Sequence, residues 1–189
     1  MKSDMASATS VRIKGSLTSG GLKVTLDIAL NTAGGGYGTV QTSQGELMVL
    51  RAGGKDYAQV TDDFIKEQKI PQDEAVSVLG KYVLLGASES QGFDPFLDLK
   101  GFLALVDTAG TDGETITGTT QVAGTPVDVV AGSDDSMLYV ATEGKALPLR
   151  MTGGGDTSGQ IDFLGWNTDL HIPGVPPASQ VIDASKYAS

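Results

Sequence analysis

The side chains equipped for chemistry are few: one histidine, no cysteine and three acidic clusters in 189 residues. His171 lies in DLHIP, where alternation points it away from Leu170 and Ile172. With no cysteine and no second histidine it cannot anchor a typical zinc site. As a general base it would need a positioned nucleophile, and no G-x-S-x-G is present, so it reads as an exposed surface histidine. Asp62 and Asp63, residues 112–114, and Asp134 and Asp135 could be paired carboxylates or calcium ligands, but none has the D-x-D-x-D-G spacing of a calcium loop. The first pair falls at a helix start and the others in turns, where carboxylates serve backbone N–H groups. The glycine clusters at 34–38 and 153–159 are not followed by Lys-Ser/Thr and do not match G-x-G-x-x-G, so they read as tight turns rather than phosphate loops. No nucleophile, base and orienter come together. The chain is expected to be non-enzymatic, with no metal and no cofactor.

Charge narrows the partners. Thirteen Lys and Arg against 23 Asp and Glu give a net charge of −10, with no basic stripe to neutralise phosphates, so nucleic-acid binding is not expected. No run approaches the ~20 apolar residues that span a bilayer, and MKSDMASATS has no apolar signal core. Met1, Met5 and the abrupt start read as a trimmed mature segment. The length suits one domain over residues 1–189, and 26 glycines with 6% aromatic residues suit a turn-rich β protein.

Around these residues, period-2 alternation predicts strands at 10–17 and 22–30, joined by Gly20-Gly21, then at 37–42, 46–51 and 56–60. The second of these is the clearest signal, with Leu22, Val24, Leu26, Ile28 and Leu30 on one face. The result is an antiparallel meander with one apolar face, which needs a single covering layer. Short helices follow from Thr61 and from Pro71, the latter with Ala75, Val76 and Leu79 on one side. Residues 93–107, FDPFLDLKGFLALVD, read as one central helix, with Asp94 as N-cap, Pro95 in the first turn and Gly110 after its end. Its broad apolar face, including Phe96, Leu97, Leu99, Phe102, Leu103, Leu105 and Val106, must be covered by the sheet. Further strands are predicted at 114–122, 127–130, 137–142, 147–151 and 160–166, with a last short one at 170–172 and a proline-rich extended end. Strands, helices, then strands without βαβ alternation define an α+β fold.

The run MLYVATEGKALPLRM, then GQIDFLGW, then IPGVPP with VID behind it, resembles the C-terminal half of the actinobacterial surface lipoproteins of the LppX/LprG group, which look like relatives of the lipoprotein carrier LolA. SVRIKGSL, GTVQ, GGKDYAQV and LGKYV are similar to the first half of the same proteins in order and spacing. The resemblance implies a strongly curved antiparallel sheet, an unclosed barrel, with helices covering its concave face in the LolA-like manner and an apolar cavity between. It also implies export and attachment to the outer face of the cell membrane through a lipidated cysteine upstream, which this sequence does not contain.

In a fold of this order one apolar set faces the interior. From the first sheet come Val24, Leu26, Ile28 and Val49, with Val40. Phe64, Leu79, Phe96, Leu99 and Leu103 come from the helices, and Val140, Leu149 and Phe163, with Ile161, from the second β run. As core they need no explanation; as lining they hold a lipid or another amphiphile, with polar groups few and at the mouth. The first reading is a carrier or sensor of an amphiphile, with the central helix and the Phe64 segment as a movable cover. The alternative is a protein-interaction module of the cell envelope with a filled core, using polar strand faces or the loops around Asp134 and Gly153.

Overall fold

The computed structural model describes residues 1–43, 45–67, 69–86, 90, 94–111, 115–132 and 135–182. Twelve strands form one sheet: β1 (Ser10–Ser19), β2 (Leu22–Asn31), β3 (Gly36–Thr42), β4 (Gly45–Ala52), β5 (Lys55–Val60), β6 (Tyr82–Leu84), β7 (Thr115–Val122), β8 (Thr125–Ala131), β9 (Met137–Ala141), β10 (Pro148–Thr152), β11 (Thr157–Leu164) and β12 (Val181–Ile182). Their order is β12-β6-β5-β4-β3-β2-β1-β11-β10-β9-β8-β7, so the sheet is open, and among the described residues only the short β12–β6 pair is parallel. The two β runs merge at the β1–β11 seam, where Ile13 faces Phe163 and Gly15 faces Ile161.

The sheet is strongly curved, and the glycines on its concave face show how. Side chains that point inward from β1 and β2 (Ile13, Ile28, Leu26) place Gly15 and Gly38 on the same face through the ladder register. A Cβ on Gly38 would lie 2.0 Å from the Asp27 carbonyl oxygen, and one on Gly15 equally close, 2.0 Å, to that of Gln160. Strands can fold over one another this tightly only where the inner position carries no side chain. Val49 on β4 and Val130 on β8, seven strand spacings apart, belong to one buried cluster with Leu99, Phe102 and Val106. In a flat sheet those seven spacings would cover about 34 Å.

Among the described residues these α-helices accompany the sheet: α1 (Lys2–Ala6), α2 (Asp62–Glu67), α3 (Gln72–Val78), α4 (Asp94–Leu97) and α5 (Leu99–Thr111). The single central helix expected over 93–107 is two helices broken at Asp98. The Asp98 carboxylate accepts the Gly101 N–H at 2.8 Å, so it is the N-cap of α5. The side chains of Asp94 and Pro95 lie outside the described residues, as do residues 91–93. α5 runs through Gly110 to Thr111 rather than stopping before it. α4 seats on Gly36, where a Cβ would come within 2.8 Å of the Leu97 carbonyl oxygen.

Three other expectations change. Residues 2–6, to which the sequence pattern assigns no element, form α1, whose Met5 is buried in the main core. Residues 170–172 form no strand; β12 begins nine residues after them, at Val181. The sheet also has a second buried cluster on its convex face, where Leu50, Ala52 and Tyr57 pack with Tyr37, Tyr82, Ile172 and Val181 under the returning C-terminal segment. That segment is turned back by Trp166, which donates to the Pro148 carbonyl at 2.7 Å, and by Ser10, which donates to the Thr168 carbonyl at 2.6 Å.

Across the seam the convex face carries charge. Arg12 donates two hydrogen bonds to Asp27 at 2.6 and 2.8 Å, Lys14 reaches the same carboxylate at 3.1 Å, and Arg150 grips Asp162 at 2.6 Å. The Arg12 hydrogen bonds, with help from Lys14, hold the Asp27 pKa below its usual value although partial burial opposes this. A depressed carboxylate pKa contributes stability above the unfolded value, about 3.9, and the contribution disappears as pH falls through the lower folded value. Asp27→Asn is therefore expected to cost up to ~1 kcal/mol at pH 7 and nothing once pH lies below the folded pKa. Urea unfolding followed from pH 7 down through the acid range checks this, and a loss that does not shrink as pH falls would contradict it.

Candidate functional site

α1 lies across α5 at one rim of the concave face, and an open, mainly apolar pocket of about 460 Å³ sits between them. Lys2, Met5 and Ala6 line it from α1, with Ala8 just beyond. Leu99, Leu103, Ala104 and Asp107 line it from α5, and Thr32 closes one side. The i, i+4 spacing of Leu99, Leu103 and Asp107 puts them along one face of the helix, with the carboxylate at the far end. Two polar tethers hold α1 down. Asp4 accepts the Ala146 N–H at 3.0 Å, and Lys2 reaches Asp107 at 3.5 Å. A size within the usual range for small-molecule sites, an apolar wall and a few charged groups at the mouth suit a chain-like apolar ligand with a polar end.

Of the residues singled out in the sequence, Leu99 and Leu103 line this pocket. Leu26, Ile28, Val49, Leu99, Val140 and Phe163 are buried in the main cluster, and Val24, Phe96 and Leu103 pack half-buried against it. Leu149 falls at the register shift between Pro148 and Arg150, where the β9–β10 ladder is interrupted, and it is half-buried outside that cluster. Leu79 does not face the sheet. It is 43% exposed, on the wall of a groove between α2 and α3, and Val76 beside it is 77% exposed, because only Ala75 of α3 turns inward. The Phe64 side chain lies outside the described residues. His171 is exposed, and Asp63 pairs with Lys66 at 3.1 Å. Residues 112–114 and Asp134 lie outside the described residues. The space between sheet and helices also holds a pair of charges: Arg51 and Asp56, neighbours across β4 and β5, share hydrogen bonds of 2.6 and 2.7 Å. Burial of Asp56 raises its pKa, but Arg51 and a hydrogen bond from Ser90 together outweigh this and the net shift is downward.

The alternation that exposed the core could not reveal Lys2, Met5 and Asp107. Five residues are too few for a helical period to show, and Asp107 reads as one more polar position on an amphipathic helix.

Fold and pocket together define an α+β class: one open, curved antiparallel sheet, helices along its concave face, and an apolar pocket at the rim. No protein-family model matches the chain, and no curated protein matches it. Among solved structures it is similar to a chain of the Pseudomonas aeruginosa MucA/MucB complex, at 16% identity over 94% of this chain and 56% of that one, with a TM-score of 0.37. It is similar to MucB at 15% identity over 95% of this chain and 60% of that one, TM-score 0.39. It is also similar to a DUF1329 family protein from Desulfovibrio piger, at 11% identity over 90% of each chain, TM-score 0.29.

Proposed function

We propose that this chain is a non-enzymatic module, acting outside the cytoplasm, that holds the apolar chain of a lipid or other amphiphile between α1 and α5. The observation that carries the reading is the pocket of about 460 Å³, apolar along Met5, Leu99 and Leu103 and charged at Lys2 and Asp107. Burying about ten methylenes there would contribute ~8 kcal/mol gross, from which ordering and association costs are subtracted. Attachment to the outer face of the membrane through an upstream lipid anchor belongs to the same reading and rests on the lipoprotein-like sequence runs. The moving part is α1, five residues held by Met5 and two polar tethers, rather than α5, whose Leu99, Phe102 and Val106 are buried in the core.

Native mass spectrometry of the purified chain, with a denatured control and an organic extract, tests occupancy. The expected result is a discrete excess mass, lost on denaturation and matched in the extract. A bare mass, unchanged after incubation with membrane lipids, would overturn the reading. Leu103→Trp should fill the pocket and weaken binding of a fluorescent fatty-acyl probe at least about tenfold while the fold is kept, since its side chain is only half-buried and faces open space. Undiminished probe binding in the folded variant would remove α5 from the site.

A second reading, a protein-interaction module of the envelope, is favoured by the exposed Val76 and Leu79 on the α2–α3 groove. A bare mass in the experiment above makes it the working reading.

A further inference from the structure

Asp107 is incompletely satisfied. An ionised carboxylate offers about four acceptor positions. The only partner this one has among the described residues is Lys2, whose Nζ stands 3.5 Å from Oδ2, longer than a charge-assisted hydrogen bond. Its other oxygen, Oδ1, is shielded from solvent and accepts from no donor among the described residues. Nearly all such atoms in folded proteins have a donor, and one that does not calls for an explanation, a donor brought by a ligand among them. Asp107 closes the end of an apolar wall made by Leu99 and Leu103, about one helical turn beyond Leu103 and two beyond Leu99. Rotation of the carboxylate exchanges its two oxygens, so either can be presented to the pocket.

From this geometry we infer that Asp107 selects the polar end of the ligand, accepting hydrogen bonds from a head group that is a donor, a hydroxyl or an ammonium, and disfavouring a free carboxylate. The inference rests on the amphiphile reading above and goes further, to the chemistry of the head. An anionic head would meet Asp107 at close range, where like charges repel, by an amount that solvent at this 36% exposed carboxylate moderates. Lys2 is already turned toward Asp107 and offers little to offset that. Lys100, exposed at the same rim, is the group that would favour the opposite order.

Three probes with the same twelve-carbon chain separate these outcomes: monolaurin, dodecylamine and laurate, titrated calorimetrically at pH 7 below micelle formation. Monolaurin and dodecylamine are expected to bind the protein at least about tenfold more tightly than laurate. Asp107→Asn keeps a carbonyl acceptor but removes the charge, so dodecylamine should fall to within about threefold of laurate while monolaurin is retained. Lys2→Ala, at a side chain 60% exposed, frees the carboxylate and should strengthen dodecylamine binding, which tests the idea even where Asp107→Asn fails to fold. Equal binding of all three probes, laurate as the tightest, or a head-group order unchanged in a folded Asp107→Asn would overturn the inference and leave the amphiphile site standing. No binding of any probe would remove the site and the inference together.

Discussion

Phe163→Ala is expected to lower folding stability by about 3–5 kcal/mol, the cost of deleting a large aromatic side chain from a core that cannot collapse around the gap. Phe163 is 1% exposed and stands opposite Ile13 on the strand pair that joins the two halves of the sheet. Its ring lies 5.8 Å from Phe102 on α5 and 6.1 Å from Trp166, stacked on the latter at 26°. One side chain therefore ties seam, covering helix and returning C-terminal segment together, and ring contacts of this kind add about 0.5–1.5 kcal/mol beyond area burial. Trp166 is the single tryptophan, so its fluorescence reports unfolding at this point. The urea midpoint should fall with the slope unchanged. A loss below about 1 kcal/mol would show that Phe163 is not the junction the contacts describe.

That junction was legible in part. GQIDFLGW alternates, so Ile161 and Phe163 shared a face in the sequence, and the five strands of the first meander were written in the same way. Alternation is a local signal, however, and the pairing of β1 with β11 is set by residues about 150 positions apart. For the same reason the convex-face cluster was hidden: Leu50 and Tyr57 occupy positions that alternation assigns to solvent, and they are buried only because Ile172 and Val181 return from the far end of the chain. The break in the central helix had a sign, Asp98 three residues before Gly101, the spacing of an N-cap and its N–H. The apolar run through Leu97, Leu99 and Phe102 outweighed it. Leu26, Ile28, Val49 and Phe163, on the apolar faces that alternation marks, are buried in the main cluster. Alternation cannot tell packed core from pocket wall, because both faces are apolar; the division depends on where α1 lies, and α1 carries too little pattern to place.

Gly38→Ala should be as damaging as Phe163→Ala, for a different reason. The added methyl would lie 2.0 Å from the Asp27 carbonyl oxygen, 2.6 Å from the Ile28 Cα and 2.8 Å from the Asp27 carbonyl carbon, all backbone atoms of the neighbouring strand. No rotamer change relieves such a contact, so β2 and β3 must separate, and a cost of about 3 kcal/mol, at the upper end for overpacking, is expected. Gly118→Ala is the control, since the same methyl on β7 meets nothing within 4 Å and should change stability by less than about 0.5 kcal/mol. If the two alanine variants have the same thermal midpoint, close folding of β3 over β2 is not what bends the sheet. If they differ as expected, the consequence reaches the proposed site. Gly36, two residues along β3 on the same face, is where α4 rests its backbone on the sheet, and α4 leads through Asp98 into the helix that carries Leu99, Leu103 and Asp107. Flattening β2 against β3 shifts that seat, so Gly38→Ala should also lose binding of the fatty-acyl probe under conditions where it remains folded, whereas Gly118→Ala should bind it as the unaltered chain does. The curvature of the sheet and the position of the pocket wall would then be one property, set by glycines that touch no ligand.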